Sequence, residues 1–271
     1  MPLAANAATD AMIQVEHLVA KYEDRTILND ISFEVRRGER FVIVGGSGCG
    51  KTTLLRHLIG LQRPASGRVL IDGDDVGGAD EDALRRIQRK FGVLFQAGAL
   101  FGSLTLGENV ALPLEEYTTL PKEMIQLLVR IKLGMVNLGG FEEFMVSELS
   151  GGMKKRAGLA RAVALDPSIL FFDEPSAGLD PITSAELDEL IVQLNRSLGT
   201  TMVVVTHELA SIFTIADRVI MLDGEAHGII ATGDPRELRE QHADPRVHAF
   251  FNRQPRTTAH GRRMESGHRS T

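Results

Sequence analysis

The 271-residue chain contains one cysteine, Cys49, and carries a formal charge of −6. A lone cysteine rules out a disulfide within the chain and fits a reducing compartment. The acidic balance argues against a general nucleic-acid binder, so no nucleic-acid partner is expected. No apolar run approaches the roughly 18 residues that a membrane-spanning helix needs. Residues 41–44, 169–172 and 202–205 are short enough to be buried strands. The start lacks the basic stretch and long apolar core of a secretory signal, and residues 1–11 read as a disordered lead-in. There is no internal repeat. These absences predict a soluble cytoplasmic protein. Its 43% hydrophobic content allows a full core in one large domain or two unequal subdomains.

Charge is unevenly spread. From residue 252 to 271, Arg253, Arg256, Arg262, Arg263 and Arg269 face one acid, Glu265, giving +4 and leaving −10 on the rest of the chain. This basic tail, taken as 251–271, is rich in Thr, Ser, Gly and His and has no apolar periodicity. It reads as disordered in isolation, or as an arm docking on an acidic partner surface such as a twin subunit.

Two glycine-rich segments carry most of the information. Gly45, Gly46, Ser47, Gly48, Cys49, Gly50, Lys51 and Thr52 match the phosphate-cradling pattern G-x-x-x-x-G-K-[ST], with Thr53 at the same helix start. Residues 40–45 form an apolar, β-branched run that predicts a buried strand. Residues 51–59 predict a helix with Leu54, Leu55, Leu58 and Ile59 on one face. Strand, glycine loop and helix together aim backbone N–H groups and a helix N-terminus at bound phosphate. Lys51 is expected to reach the β- and γ-phosphates and the Thr52 hydroxyl to ligate Mg²⁺. Cys49 occupies a variable loop position and reads as a small filler. The second segment, residues 149–153, places Ser150, Gly151 and Gly152 before another helix.

Residues 169–174 are four apolar side chains ending in Asp173 and Glu174. A buried strand that delivers an acid at its C-terminal end suits a Mg²⁺ ligand beside such a loop, which is the role expected of Asp173. Glu174 is placed to polarise the attacking water as general base.

Alternating residues predict strands over 12–19 and 30–35, with a turn at Glu23 and Asp24. Further strands are expected over 67–71, 91–95, 168–172, 201–206 and 218–222. Helices are expected over 80–90, 121–133, 153–165, 182–198 and 208–216, with mainly helical periodicity from 113 to 164. The alternation implies a parallel sheet covered by helices. The simplest α/β architecture is a β-rich front, a nucleotide-binding core and a helical insertion over about 97–165, within a domain spanning 12–250.

The glycine loop, Gln96 after a strand, Ser150 to Gly152, Asp173 and Glu174, residues 176–180 and His207 stand in the order and spacing of ATP-binding-cassette ATPases. About residues 12–250 resemble that family, and the motifs are highly specific in combination. The resemblance implies a P-loop NTPase fold with a RecA-like core, two bound MgATP and a homodimer paired head to tail. It implies that Gln96 contacts Mg²⁺ and the attacking water and senses a membrane partner. Ser150, Gly151 and Gly152 would contact the γ-phosphate on the other subunit, and Asp180 would be the acid of the loop linking the two sites. His207 resembles the histidine that contacts the γ-phosphate. Tyr22 resembles the aromatic that stacks on adenine, and can also be read as a strand-end packing residue.

The second glycine segment ends in Met153 where many members have Gln, and Met cannot supply that amide's hydrogen bonds. With this ending, residues 95–101, 108–114 and 116–118 resemble the ATPases of the MCE-associated lipid transporters, the Mla type. Such members work on the cytoplasmic face of the inner membrane with a MlaE-like permease and an MCE-domain protein, and a small regulatory subunit can join them. Residues 176–180 follow the general cassette pattern more closely than the Phe-x-Gly-Gln-Asp form of many Mla ATPases. Another importer or exporter ATPase is the alternative. A soluble cassette acting on DNA or translation is disfavoured by the single cassette, the lone cysteine and the acidic body.

Overall fold

The computed structural model describes residues 10–254. β1 (Ala11–Tyr22) and β2 (Arg25–Arg36) form an antiparallel hairpin, followed by β3 (Arg40–Gly45), α1 (Lys51–Leu58), β4 (Ser66–Ile71) and β5 (Asp74–Asp75). Next come α2 (Glu81–Gln88), β6 (Phe91–Leu94), α3 (Leu106–Tyr117), α4 (Lys122–Met135) and α5 (Gly151–Ala162). The chain continues through β7 (Ile169–Asp173), α6 (Pro181–Leu198), β8 (Thr201–Val205), α7 (Leu209–Ile215), β9 (Arg218–Asp223) and β10 (Gly228–Gly233). It closes with α8 (Pro235–Gln241) and α9 (Pro245–Phe251).

A front sheet has the order β2-β1-β4-β5 and is antiparallel. The central sheet has the order β10-β9-β3-β8-β7-β6, parallel except where β10 meets β9. Its inner strands read as continuous apolar runs because both faces are covered. Side chains alternate between two cores. Phe41, Ile43, Phe171, Val203, Val205, Ile220 and Leu222 face α1 and the front sheet. Val42, Val44, Leu170, Phe172, Met202, Val204, Val219 and Met221 face the helices.

β3 lies between β9 and β8, with β7 next along. The C-terminal ends of β3, β7 and β8 therefore open side by side on one edge, where ligands of open α/β sheets bind. The glycine loop follows β3, Asp173 ends β7, and His207 lies two residues beyond β8.

The structure differs from the periodicity in a few places. Periodicity starts the helical region near Pro113, yet α3 begins seven residues earlier, at Leu106. Thr105 and Glu108 form a reciprocal capping box that fixes this start, and Pro113 is carried inside the helix. β10, α8 and α9 have no counterpart in the periodic pattern. Ala11 opens β1 and Phe251, 2% exposed, packs within α9, so both belong to the packed body. Residues 1–9 and 255–271, which hold nearly all of the expected lead-in and tail, lie outside the described residues. Among the described residues, no helix is long and apolar enough to cross a membrane.

Candidate functional site

The loop from Gly45 to Gly50 joins a buried strand to the N-terminus of α1. Gly50 is the N-cap at φ 103°, and a Cβ there would lie 2.7 Å from Leu28 Cδ2. Both the backbone angle and the close approach of β2 demand glycine. The side chain of Lys51, 8% exposed, folds back across the loop and donates to the carbonyls of Gly45 at 3.0 Å and Gly46 at 3.2 Å. Cys49 is buried, with its Sγ against Gly45, and burial pushes its thiol up despite the neighbouring Lys51 charge. That is the behaviour of a filler rather than a reactive thiol.

Asp173 is brought to this loop by the pairing of β7 with β8. Its Oδ1 is buried without a hydrogen-bond partner. Burial, and then the charge of Glu174, push its carboxyl above the ordinary range; Arg56, the Thr52 hydroxyl and Lys51 pull it down. A buried carboxylate oxygen without a partner, beside a threonine hydroxyl, is a donor set of the kind a hard cation takes. Among the described residues, no cluster of three or more His, Cys, Asp or Glu side chains could hold a metal. A cation here would complete its shell with phosphate oxygens and water, as Mg²⁺ usually does.

Glu174 adopts φ 48°. This left-handed conformation costs a non-glycine residue about 1 kcal/mol. It is pinned by a 2.8 Å bond from its N–H to Val205 O. The turn directs the Glu174 carboxylate, 12% exposed, to within 2.9 Å of His207 Nδ1. An ionised carboxylate only accepts, so in this contact Nδ1 is the donor and Nε2 is the ring nitrogen left for another partner.

The remaining predicted residues lie on elements around this edge. Ser150 caps α5, accepting from Met153 N at 3.2 Å. Asp180 caps α6, accepting from the N–H groups of Ile182 and Thr183, each at 3.1 Å. Bonds from the Thr183 hydroxyl and N–H hold its carboxyl below the usual range. A Cβ on Gly152 would lie 2.6 Å from Thr183 Cγ2, so the second glycine segment packs directly on α6. The Gln96 side chain is exposed after β6, while its carbonyl accepts from Lys155 Nζ. Tyr22 ends β1 at 70% exposure, which leaves it too solvent-facing to be a packing residue.

Two buried charged residues near the site were not foreseen. Lys155 lies on the inner face of α5. The only sequence signal for it is helical register with Gly158, Leu159 and Ala162, which share that buried or half-buried face. Asp188 on α6 is 2% exposed with an unpartnered Oδ1. Burial pushes its carboxyl up to about 6, against a bond from Ser211, whose Oγ lies 3.3 Å from Ser176 Oγ. A carboxyl that holds its proton more tightly in the folded state stabilises the fold fully below pH 4, and that contribution is lost as pH rises through about 6. Asp188→Asn removes the charge without changing size. It is expected to stabilise the protein by about 3 kcal/mol at pH 8 and by less than about 1 kcal/mol near pH 4, as read by denaturant melts at both values.

A glycine loop between a parallel strand and a helix, with an acid at the end of the next strand but one in the same sheet, defines a P-loop nucleoside triphosphatase. A family model described as ABC transporter matches residues 28–177. The chain belongs to the ABC transporter family, as an ATP-binding subunit that hydrolyses ATP.

Over 240 residues it is 41% identical to the intermembrane phospholipid transport system ATP-binding protein MlaF of Haemophilus influenzae, covering 89% of this chain and 90% of that one. It is 42% identical to the probable ribonucleotide transport ATP-binding protein mkl of Mycobacterium leprae, covering 89% of this chain and 68% of that one. Among solved structures, it resembles a dimeric post-hydrolysis state of the ATP-binding cassette MJ0796 bound to ADP and Pi. That match has a TM-score of 0.75 and 31% identity, covering 82% of this chain and 98% of that one.

Proposed function

We propose that two copies of this chain form the motor of a lipid transporter. Together they would drive phospholipid or related lipid movement between envelope membranes, from the cytoplasmic face of the inner membrane. The catalytic part rests on one observation: Glu174 and His207 meet at 2.9 Å on the strand edge that also carries Lys51 and Asp173. The lipid part is supported by the match to the phospholipid-transport ATPase along 90% of that protein's length, against 68% for the ribonucleotide-transport relative.

In this reading ATP lies along the loop, its phosphates on the N–H groups of residues 45–50 and at Lys51, Thr52 and Thr53. Tyr22 stacks on the adenine. Thr52, Asp173 and Gln96 would hold Mg²⁺, which neutralises charge on the phosphate oxygens. Glu174 takes a proton from water as its oxygen bonds to the γ-phosphorus, and the bond to the β-phosphate bridging oxygen breaks to release ADP and phosphate. His207, anchored through Nδ1, donates from Nε2 to the γ-phosphate. Ser150, Gly151 and Gly152 of the second chain complete the site, and Asp180 sets the loop between the two sites. The dimeric MJ0796 cassette supports this pairing.

A membrane subunit would dock where the Gln96 loop meets the helical insertion. Phe101 is 56% exposed there, and Tyr117 stacks on Arg89 at 4.9 Å over a groove lined by Phe91, Pro113 and Arg161. Exposed aromatics at a groove rim mark a protein contact. The expected partners are a MlaE-like permease, an MCE-domain protein and a small regulatory subunit. Affinity purification from membranes is expected to recover a polytopic permease with bound phospholipid. Recovery of a permease that carries nucleotide or amino acid and no lipid would contradict the lipid assignment.

A further inference from the structure

Lys155 is a buried cation with no part in the chemistry above. It sits five residues beyond Ser150 on α5 and is 6% exposed. Removing an ammonium from water is costly unless it is paired. Here Nζ donates to the main-chain carbonyl of Gln96 and, at 3.3 Å, to that of Glu174. Burial pulls its proton affinity down, and the charges of Asp173, Glu174 and Glu208 oppose that shift. Both bonds go to backbone, so the Gln96 amide and the Glu174 carboxylate stay available to water. One point charge thus joins two segments 78 positions apart in the chain and fixes both to the same helix.

The other end of that helix is Ser150. Between them lies little more than one turn of rigid backbone, and Gly152 packs on Thr183 without room for a side chain. A nucleotide gripped by Ser150 to Gly152 therefore moves Lys155 with the same rigid body. We propose that Lys155 is a positioning residue that couples the Ser150–Gly152 segment to Gln96 and Glu174 of the same chain. Nucleotide held at one site of the pair then sets the water-activating geometry of the other. This inference rests on the two-chain ATPase reading above.

The test compares the parent with Lys155→Met and Lys155→Arg, each full-length and in complex with its membrane subunit. Hydrolysis is followed against ATP concentration, with binding of a fluorescent ATP analogue and a thermal melt in parallel. Met keeps the stem and loses the ammonium; Arg keeps the charge. For Lys155→Met, kcat is expected to fall about tenfold or more while KM and analogue Kd stay within about threefold. Its Hill coefficient should drop towards 1, because coupling between sites is what is lost. Arg should restore kcat to within about threefold of the parent.

Turnover of Lys155→Met within about twofold of the parent, at unchanged cooperativity, would overturn the inference. So would a fall in kcat matched by an equal loss of binding and not rescued by Arg. If Lys155→Met does not fold, Lys155→Gln takes its place under the same criteria. Glu174→Gln assayed alongside separates the two levels. Turnover retained in Glu174→Gln defeats the catalytic reading itself. An inactive Glu174→Gln beside an active Lys155→Met defeats only the coupling.

Discussion

Glu174→Gln is expected to lower ATP turnover by roughly 10²–10⁴-fold, the range supplied by a positioned general base. The same variant should accumulate as an ATP-bound pair of chains. Gln matches Glu in size and can still accept from His207 Nδ1 through its Oε1, so the 2.9 Å contact has no steric reason to open. The left-handed backbone of residue 174 is held by its N–H bond to Val205 O, which the substitution leaves alone. Only proton uptake is removed. Binding and closure are thereby separated from hydrolysis, and gel filtration with ATP should show the paired form persisting. Full turnover in this variant would show that Glu174 is not the base.

Lys51→Met and Ser150→Arg should each abolish turnover, by different routes. Lys51 is the buried charge of the glycine loop, donating to the Gly45 and Gly46 carbonyls until phosphate replaces them. Hydrogen bonds from a charged donor contribute about 1.5–3 kcal/mol each, so losing them should weaken ATP binding by about 10–100-fold or more. Ser150 lies on another element and makes no bond to the glycine loop; it caps α5 through Met153 N. Removing the cap costs about 1 kcal/mol of stability, which the packed helix can absorb. ATP binding by a single Ser150→Arg chain should therefore stay near the parental value. Pairing on ATP should fail, because Arg fills the space that another chain's phosphate would take. Equilibrium binding and gel filtration distinguish the two failures.

Much of this site is legible in sequence because its parts lie at the ends of fully buried strands. Residues 41–44, 169–172 and 202–205 are apolar runs that give way to glycine or polar residues at the site, so strand and site announce each other. The helices with clean apolar stripes, α1, α4 and α6, are legible for the same reason. α3 is hidden by Pro113, although the capping signal of Thr105 and Glu108 stands eight and five residues upstream of the apparent start. α8 and α9 are too short for a periodic stripe. Their marks are the Asp-Pro pairs at 234–235 and 244–245, an N-cap followed by proline at the first helical position.

The bond between Glu174 and His207 follows from the pairing of β7 with β8 and from a single left-handed turn, neither of which is encoded locally. Lys155 is the least legible. A lysine on a helix reads as a solvated charge, and what compensates its burial comes from the carbonyls of residues 96 and 174.

The central claim is that each site is built from the glycine loop of one chain and the Ser150–Gly152 segment of another. Mixing Lys51→Met chains with Ser150→Arg chains tests it directly. Each preparation alone carries a defect in both of its sites. In a mixed pair, both defects fall on one site and the other is intact. ATP hydrolysis on mixing is expected to rise above background to at most about a quarter of the parental rate, since half the pairs are mixed and each has one intact site of two, and to fall below that ceiling by whatever coupling from the defective site is lost. A mixture that stays at background, while parental chains treated identically remain active, would contradict the two-chain site.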